Sequence, residues 1–83
     1  MVYKISLKPS VKKELDRLSK RDQRRIYGAL ALISHDPFIG KKLQGEYRGL
    51  YSFRSWPYRI IYTILRKELL IIIVKIGHRQ GAY

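Results

Sequence analysis

Residues 2–8 alternate, with Tyr3, Ile5 and Leu7 on one side and Lys4, Ser6 and Lys8 on the other. That two-residue period predicts a half-buried strand. Pro9 and Ser10 end it and open a helix, Pro suiting a first helical turn and Ser an N-cap. Val11, Leu15 and Leu18 then recur at helical spacing. Residues 19–22 (Ser-Lys-Arg-Asp) form a capping box with Asp in place of Glu, which starts a second helix. Its apolar stripe is Ile26, Ala29, Leu30 and Ile33, and Asp36-Pro37 stops it. The connection between the helices is short enough to force an antiparallel or sharply angled pair. Residues 38–45 read as a loop carrying Lys41 and Lys42. Residues 46–56 read as a strand bounded by Gly45 and Pro57, with Gly49 marking a bulge or the true strand start.

The last stretch, 58–83, organises the rest. Residues 60–65 and 69–76 are apolar runs rich in β-branched side chains, separated by the charged turn Arg66-Lys67-Glu68. Their lengths and composition predict two strands of an antiparallel hairpin. Pairing about Lys67 places Arg59 opposite Lys75 or Ile76, so the tail leaves from the same end of the sheet. Arg59, His78, Arg79 and Tyr83 are thereby expected to converge. The order β-α-α-β-β-β predicts an α+β fold, with a helical pair packed on an antiparallel sheet that ends in a three-stranded meander. The N-terminal strand joins beside one of the later three, and the pattern leaves open which. Residues 1–83 form one domain without linker or repeat.

Hydrophobic residues make up 46% of the chain, which is enough for a small core. Charge changes the picture more. Eighteen Lys and Arg stand against six acids, a net charge of +12, which implies a polyanionic partner: nucleic acid, an anionic membrane surface or an acidic protein. There is no cysteine, so disulfides and thiolate metal sites are excluded. Two histidines without a ligand cluster argue against zinc, and no metal or cofactor is expected. Neither apolar run approaches the ~20 residues needed to span a bilayer. A soluble, cytoplasmic protein is the expectation.

The turn at Trp56-Pro57 brings Arg54 to the sheet end that carries Arg59. Arg54, Arg59 and Arg79 are either solvated surface charges or phosphate ligands, for which the planar guanidinium offers bidentate hydrogen bonds. His78 and Tyr83 are either parts of a disordered tail or proton carriers; a phosphodiester cleaved by its own 2′-hydroxyl needs both proton transfer and charge stabilisation. Trp56 is the ring most exposed for stacking on a base. Lys41 and Lys42 are either solvated or contacts to backbone phosphate. Arg17, Arg21, Arg24 and Arg25 make one basic helical face, a solvated side or an RNA track. The other aromatics, Tyr3, Tyr51, Phe53 and Tyr62, alternate on strands and read as core. His35 closes the second helix.

Residues 41–64 (KKLQGEYRGLYSFRSWPYRIIYTI) and 71–83 (IIIVKIGHRQGAY) resemble the RelE/ParE superfamily of toxins, and the resemblance extends over essentially the whole chain. It implies an antiparallel sheet with an N-terminal helical pair. RelE-type members are ribosome-dependent endoribonucleases that cut mRNA in the A site without metal, by 2′-hydroxyl attack, and are held inactive by an antitoxin that wraps them. ParE-type members share the fold but poison DNA gyrase. By position, Arg59 and Arg79 are implied to stabilise the phosphate, Tyr83 or His78 to handle protons, and Arg54 to support the substrate backbone. The implied partners are an acidic RelB-like antitoxin, mRNA and rRNA. The chain departs from the nuclease pattern at Leu50 and Ser52, where such members carry basic residues. A basic RNA-binding domain without catalysis is the remaining alternative.

Overall fold

The computed structural model describes residues 2–78. Five strands, β1 (Lys4–Leu7), β2 (Lys41–Lys42), β3 (Tyr51–Ser55), β4 (Tyr58–Leu65) and β5 (Leu70–His78), form one sheet in the order β1-β5-β4-β3-β2. Two helices, α1 (Pro9–Asp16) and α2 (Lys20–His35), cover one face. The α+β class and the helical pair are as expected. The sheet is mixed rather than antiparallel throughout: β1 runs parallel to β5, with Ile5 opposite Ile71 and Leu7 opposite Ile73. Strands β2 to β5 are antiparallel neighbours.

Local signals account for the helices. Ser19 Oγ accepts from the Asp22 amide at 3.2 Å, the first half of the capping box. The Asp22 carboxylate does not complete the box; it accepts from the Tyr58 hydroxyl at 2.8 Å. Ser10 is not a cap, because Pro9 already occupies the first helical turn of α1 and Lys8 is the capping residue. Val11 and Leu15 of α1 and Ile26, Ala29, Leu30 and Ile33 of α2 bury against Tyr58, Ile60, Tyr62, Ile71, Ile73 and Ile76 of the sheet. Each buried Val, Leu or Ile among them contributes about 1.5–3 kcal/mol on leaving water.

Three further expectations change. The segment before β3 is not strand: Gly45–Tyr47 is a 3₁₀ turn, and Gly49, at φ 93°, makes the left-handed bend that delays the strand to Tyr51. The 38–45 loop is partly ordered, with a 3₁₀ turn at Pro37–Ile39 and the edge strand β2. Arg59 lies opposite Gly77, because the hairpin turn takes Arg66–Glu68 plus Leu69 in a left-handed conformation and a register shift follows at Ile61/Tyr62.

Tyr62 is fully buried, stacks on Tyr51 at 5.6 Å and donates to the Pro37 carbonyl at 2.7 Å. Burial pushes its hydroxyl up from 10.0 to about 12. A phenol whose pKa is higher folded than unfolded stabilises in full below the unfolded value and loses that contribution as pH rises through the folded one. Urea midpoints are therefore expected to fall between pH 10.0 and about 12. Tyr62→Phe should flatten that fall in part; Tyr58, also raised by burial and then by Asp22, carries the remainder.

Candidate nucleic-acid interface

Strand alternation divides the polar residues of the sheet between its two faces. Tyr58, Ile60 and Tyr62 of β4 face the helices, so Arg59, Ile61 and Thr63 face away. Register then assigns their neighbours. Arg54 lies directly opposite Arg59, and Lys41, Ser52, Ile61 and Lys75 form the adjacent transverse row. The face away from the helices thus carries Lys41, Arg54, Arg59 and Lys75, with Lys4 on β1 toward its far edge. All six acids of the chain lie on helices, caps or turns and none on a strand. No negative charge interrupts this face.

Like charges directly opposite in a sheet are destabilising. Neither Glu46 nor Glu68 pairs with Arg54 among the described residues. The two planar guanidiniums offer bidentate donors of the kind that match an anion. A cleft of ≈ 420 Å³ at this place is lined by Lys41, Ser52, Arg54 and Arg59, with Ile39, Leu43 and Phe53 as its apolar part.

The turn that sets the arginine pair is held from behind. Arg25 of α2 donates to the Trp56 carbonyl at 2.7 Å, and Tyr58 is tied to Asp22 one turn earlier on the same helix. Both anchors grip the residues between Arg54 and Arg59, so the spacing of the pair is fixed by α2 rather than by the turn alone. Trp56 itself is 55% exposed at the sheet end.

The structure brings Lys41, Arg54 and Arg59 together and separates two other candidates from them. Lys42 pairs with Tyr51, on the helix side, and lines a different depression with Gln44 and Arg48. His78 pairs with Tyr58, not with Arg59, and packs edge-on against the Tyr58 ring at 5.4 Å. It lines a hollow with Glu14, Leu15 and Leu18 of the α1 region, on the far side of the sheet from the arginines. The expected convergence of His78 with Arg59 is therefore corrected: adjacent residues on a strand point to opposite faces, and Gly77 takes the place beside Arg59. Arg79 and Tyr83 lie outside the described residues. Lys75 was missed by sequence reasoning; a single cation inside an otherwise apolar strand was the available signal. Among the described residues no group of three or more His, Asp or Glu gathers to hold a metal ion.

The protein is thus an α+β domain whose sheet has one face packed on helices and the other basic, with none of the six acids on its strands. Comparison with known proteins narrows this. A family model described as the ParE toxin of type II toxin–antitoxin systems, parDE, matches residues 5–83. The chain is 27% identical over 85 residues to Toxin RelG of Mycobacterium tuberculosis, covering 100% of this chain and 98% of RelG. It superposes with a TM-score of 0.87 on a chain of the M. tuberculosis toxin–antitoxin complex RelBE2, at 26% identity, covering 95% of this chain and 100% of that one. On a chain of the archaeal RelE–RelB complex from Pyrococcus horikoshii the TM-score is 0.82, at 30% identity, with coverage of 99% and 100%. The chain belongs to the RelE/ParE superfamily of type II toxin–antitoxin toxins. Among the described residues no helix is long and apolar enough to cross a membrane.

Proposed function

We propose that this toxin is a ribosome-dependent mRNA endoribonuclease of RelE type, acting in the cytoplasm and held inactive by an acidic RelB-like antitoxin. The observation that carries the reading is the cross-strand pair Arg54–Arg59 on an acid-free sheet face. In the proposed reaction the 2′-hydroxyl of one nucleotide attacks the adjacent phosphorus, giving a 2′,3′-cyclic phosphate and a 5′-hydroxyl. Arg59 stabilises the extra negative charge on the phosphorane, and Arg54 and Lys41 hold the strand on either side. Resemblance assigns Arg79 to the same phosphate and Tyr83 to proton transfer. His78, behind the sheet, takes no part in this scheme. No cofactor is invoked.

The antitoxin follows from the charge and from relatives. The RelBE2 structure is of a toxin–antitoxin complex and the P. horikoshii structure of a RelE–RelB complex. A chain of net charge +12 favours an acidic, partly disordered segment as its inhibitor.

A second reading, a gyrase-directed toxin of ParE type, is favoured by one feature. Leu50 and Ser52 stand where nuclease members carry basic residues, and Ser52 lies inside the cleft itself. Two assays on purified protein separate the readings. Translating ribosomes should yield mRNA cut in the A site, while gyrase supercoiling proceeds unchanged. Intact mRNA together with blocked supercoiling overturns the nuclease reading.

A further inference from the structure

The arginine pair leaves Lys75 unexplained. In β5, Ile71 and Ile73 face the helices, so an unbroken alternation would carry residue 75 into the core behind them. The pairing instead jumps from Tyr62–Ile73 to Ile61–Lys75. Val74 is the extra residue of a β-bulge. Beyond it the parity of the strand is reversed: Ile76 enters the core at 7% exposure, and Lys75 emerges exposed on the open face. Bulges disrupt the ladder where they occur and commonly re-aim a side chain toward a site. This one delivers a cation.

Lys75 comes to rest in the row Lys41–Ser52–Ile61–Lys75. The two lysines stand at its ends, about 14 Å apart across three strand spacings. Ile61, 3% exposed, forms an apolar floor between them. Ser52 presents a small hydroxyl and lines the cleft with Lys41. Lysine stems are flexible enough to lean inward over the row. The Arg54–Arg59 row lies two residues further along, roughly 6.7 Å. That is the scale of one nucleotide step on a stretched single strand.

The geometry points to a second phosphate subsite on this row, formed by Lys75, Lys41 and the Ser52 hydroxyl. It holds the phosphodiester next to the one gripped by Arg54 and Arg59. This deepens the nuclease reading and rests on it for the identity of the ligand as single-stranded RNA. It also gives Ser52 a rationale: the charge absent at that position is supplied from the two ends of its own row.

The test uses the full chain and a single-stranded RNA oligonucleotide carrying 2′-O-methyl groups throughout, which binds but cannot be cut. Fluorescence anisotropy over a salt series gives the slope of log K against log salt. Lys75→Gln should reduce that slope by about 0.7, one lost phosphate contact on a single strand. Lys75→Arg should keep it, and Lys67→Gln, an exposed charge at the hairpin turn, should leave it unchanged. Adding Ser52→Lys to Lys75→Gln should restore it. A Lys75→Gln slope equal to wild type, or a loss matched by Lys67→Gln, overturns the subsite. If wild-type protein cuts no mRNA on ribosomes yet the Lys75-specific loss of slope persists, the subsite stands and the nuclease reading fails.

Discussion

Arg59→Ala is expected to lower the single-turnover rate of mRNA cleavage on translating ribosomes by about 10²–10³. The reasoning is electrostatic. Arg59 is half-buried at the centre of the sheet, with Arg54 on one side and the glycine backbone of Gly77 on the other. Its position is fixed by the neighbouring strand pairing and by the anchors from α2 to Trp56 and Tyr58. A preorganised cation of this kind acts chiefly where charge develops, so the loss should fall on the chemical step more than on ribosome binding. Arg54→Ala, exposed and more peripheral, should weaken binding first. The check is rate against ribosome concentration, with circular dichroism to show an intact fold. Equal rates for Arg59→Ala and wild type would remove Arg59 from the mechanism.

The second large effect is on stability and comes from a residue with no side chain. Gly40 joins the 3₁₀ turn at Pro37–Ile39 to β2, in an ordinary extended conformation that any residue adopts. Its need for glycine is steric. A Cβ there collides with the Tyr62 hydroxyl and comes within 3.1 Å of the Ser52 carbonyl. Tyr62 cannot easily give way, being fully buried, stacked on Tyr51 and bonded to Pro37. Gly40→Ala should therefore cost about 1–3 kcal/mol, as overpacking does. Tyr62→Phe alone should cost about 1 kcal/mol for the lost hydrogen bond. The double variant should be more stable than the sum of the two costs, since removing the hydroxyl removes the worst collision. Urea denaturation of the four proteins measures this directly; strict additivity would mean that the collision is relieved elsewhere. Because Gly40 precedes Lys41, the same substitution should also disturb the edge of the basic face.

What the chain declares in advance depends on how local the cause is. The α2 stripe and the Ser19 cap were legible because both depend on residues a turn apart. The hairpin was legible from two β-branched runs around a charged turn. The partner of β1 was not: its pairing with β5 joins the two ends of the chain, and no short-range pattern specifies it. The register failed for a related reason. Leu69 enters a left-handed conformation that leaves no mark in the pattern, and Val74 bulges within a run whose one mark is Lys75, at a position that unbroken alternation would bury. Those two irregularities decide the site. They move Arg59 opposite Gly77, turn His78 toward Tyr58 and bring Lys75 onto the basic face. The hairpin register suggested that the tail leaves beside Arg59 and that His78 joins it, but alternation places His78 and Arg59 on opposite faces.

The most direct measurement is a map of mRNA 5′ ends after a brief induction in cells, comparing the wild-type chain with one carrying both Arg54→Ala and Arg59→Ala. If basic groups gathered on the side of the sheet away from the helices cleave message inside the ribosome, wild-type cells show new ends in step with codons, and the double variant, equally abundant and folded, shows none. Codon-phased ends at wild-type levels from the double variant would contradict the account.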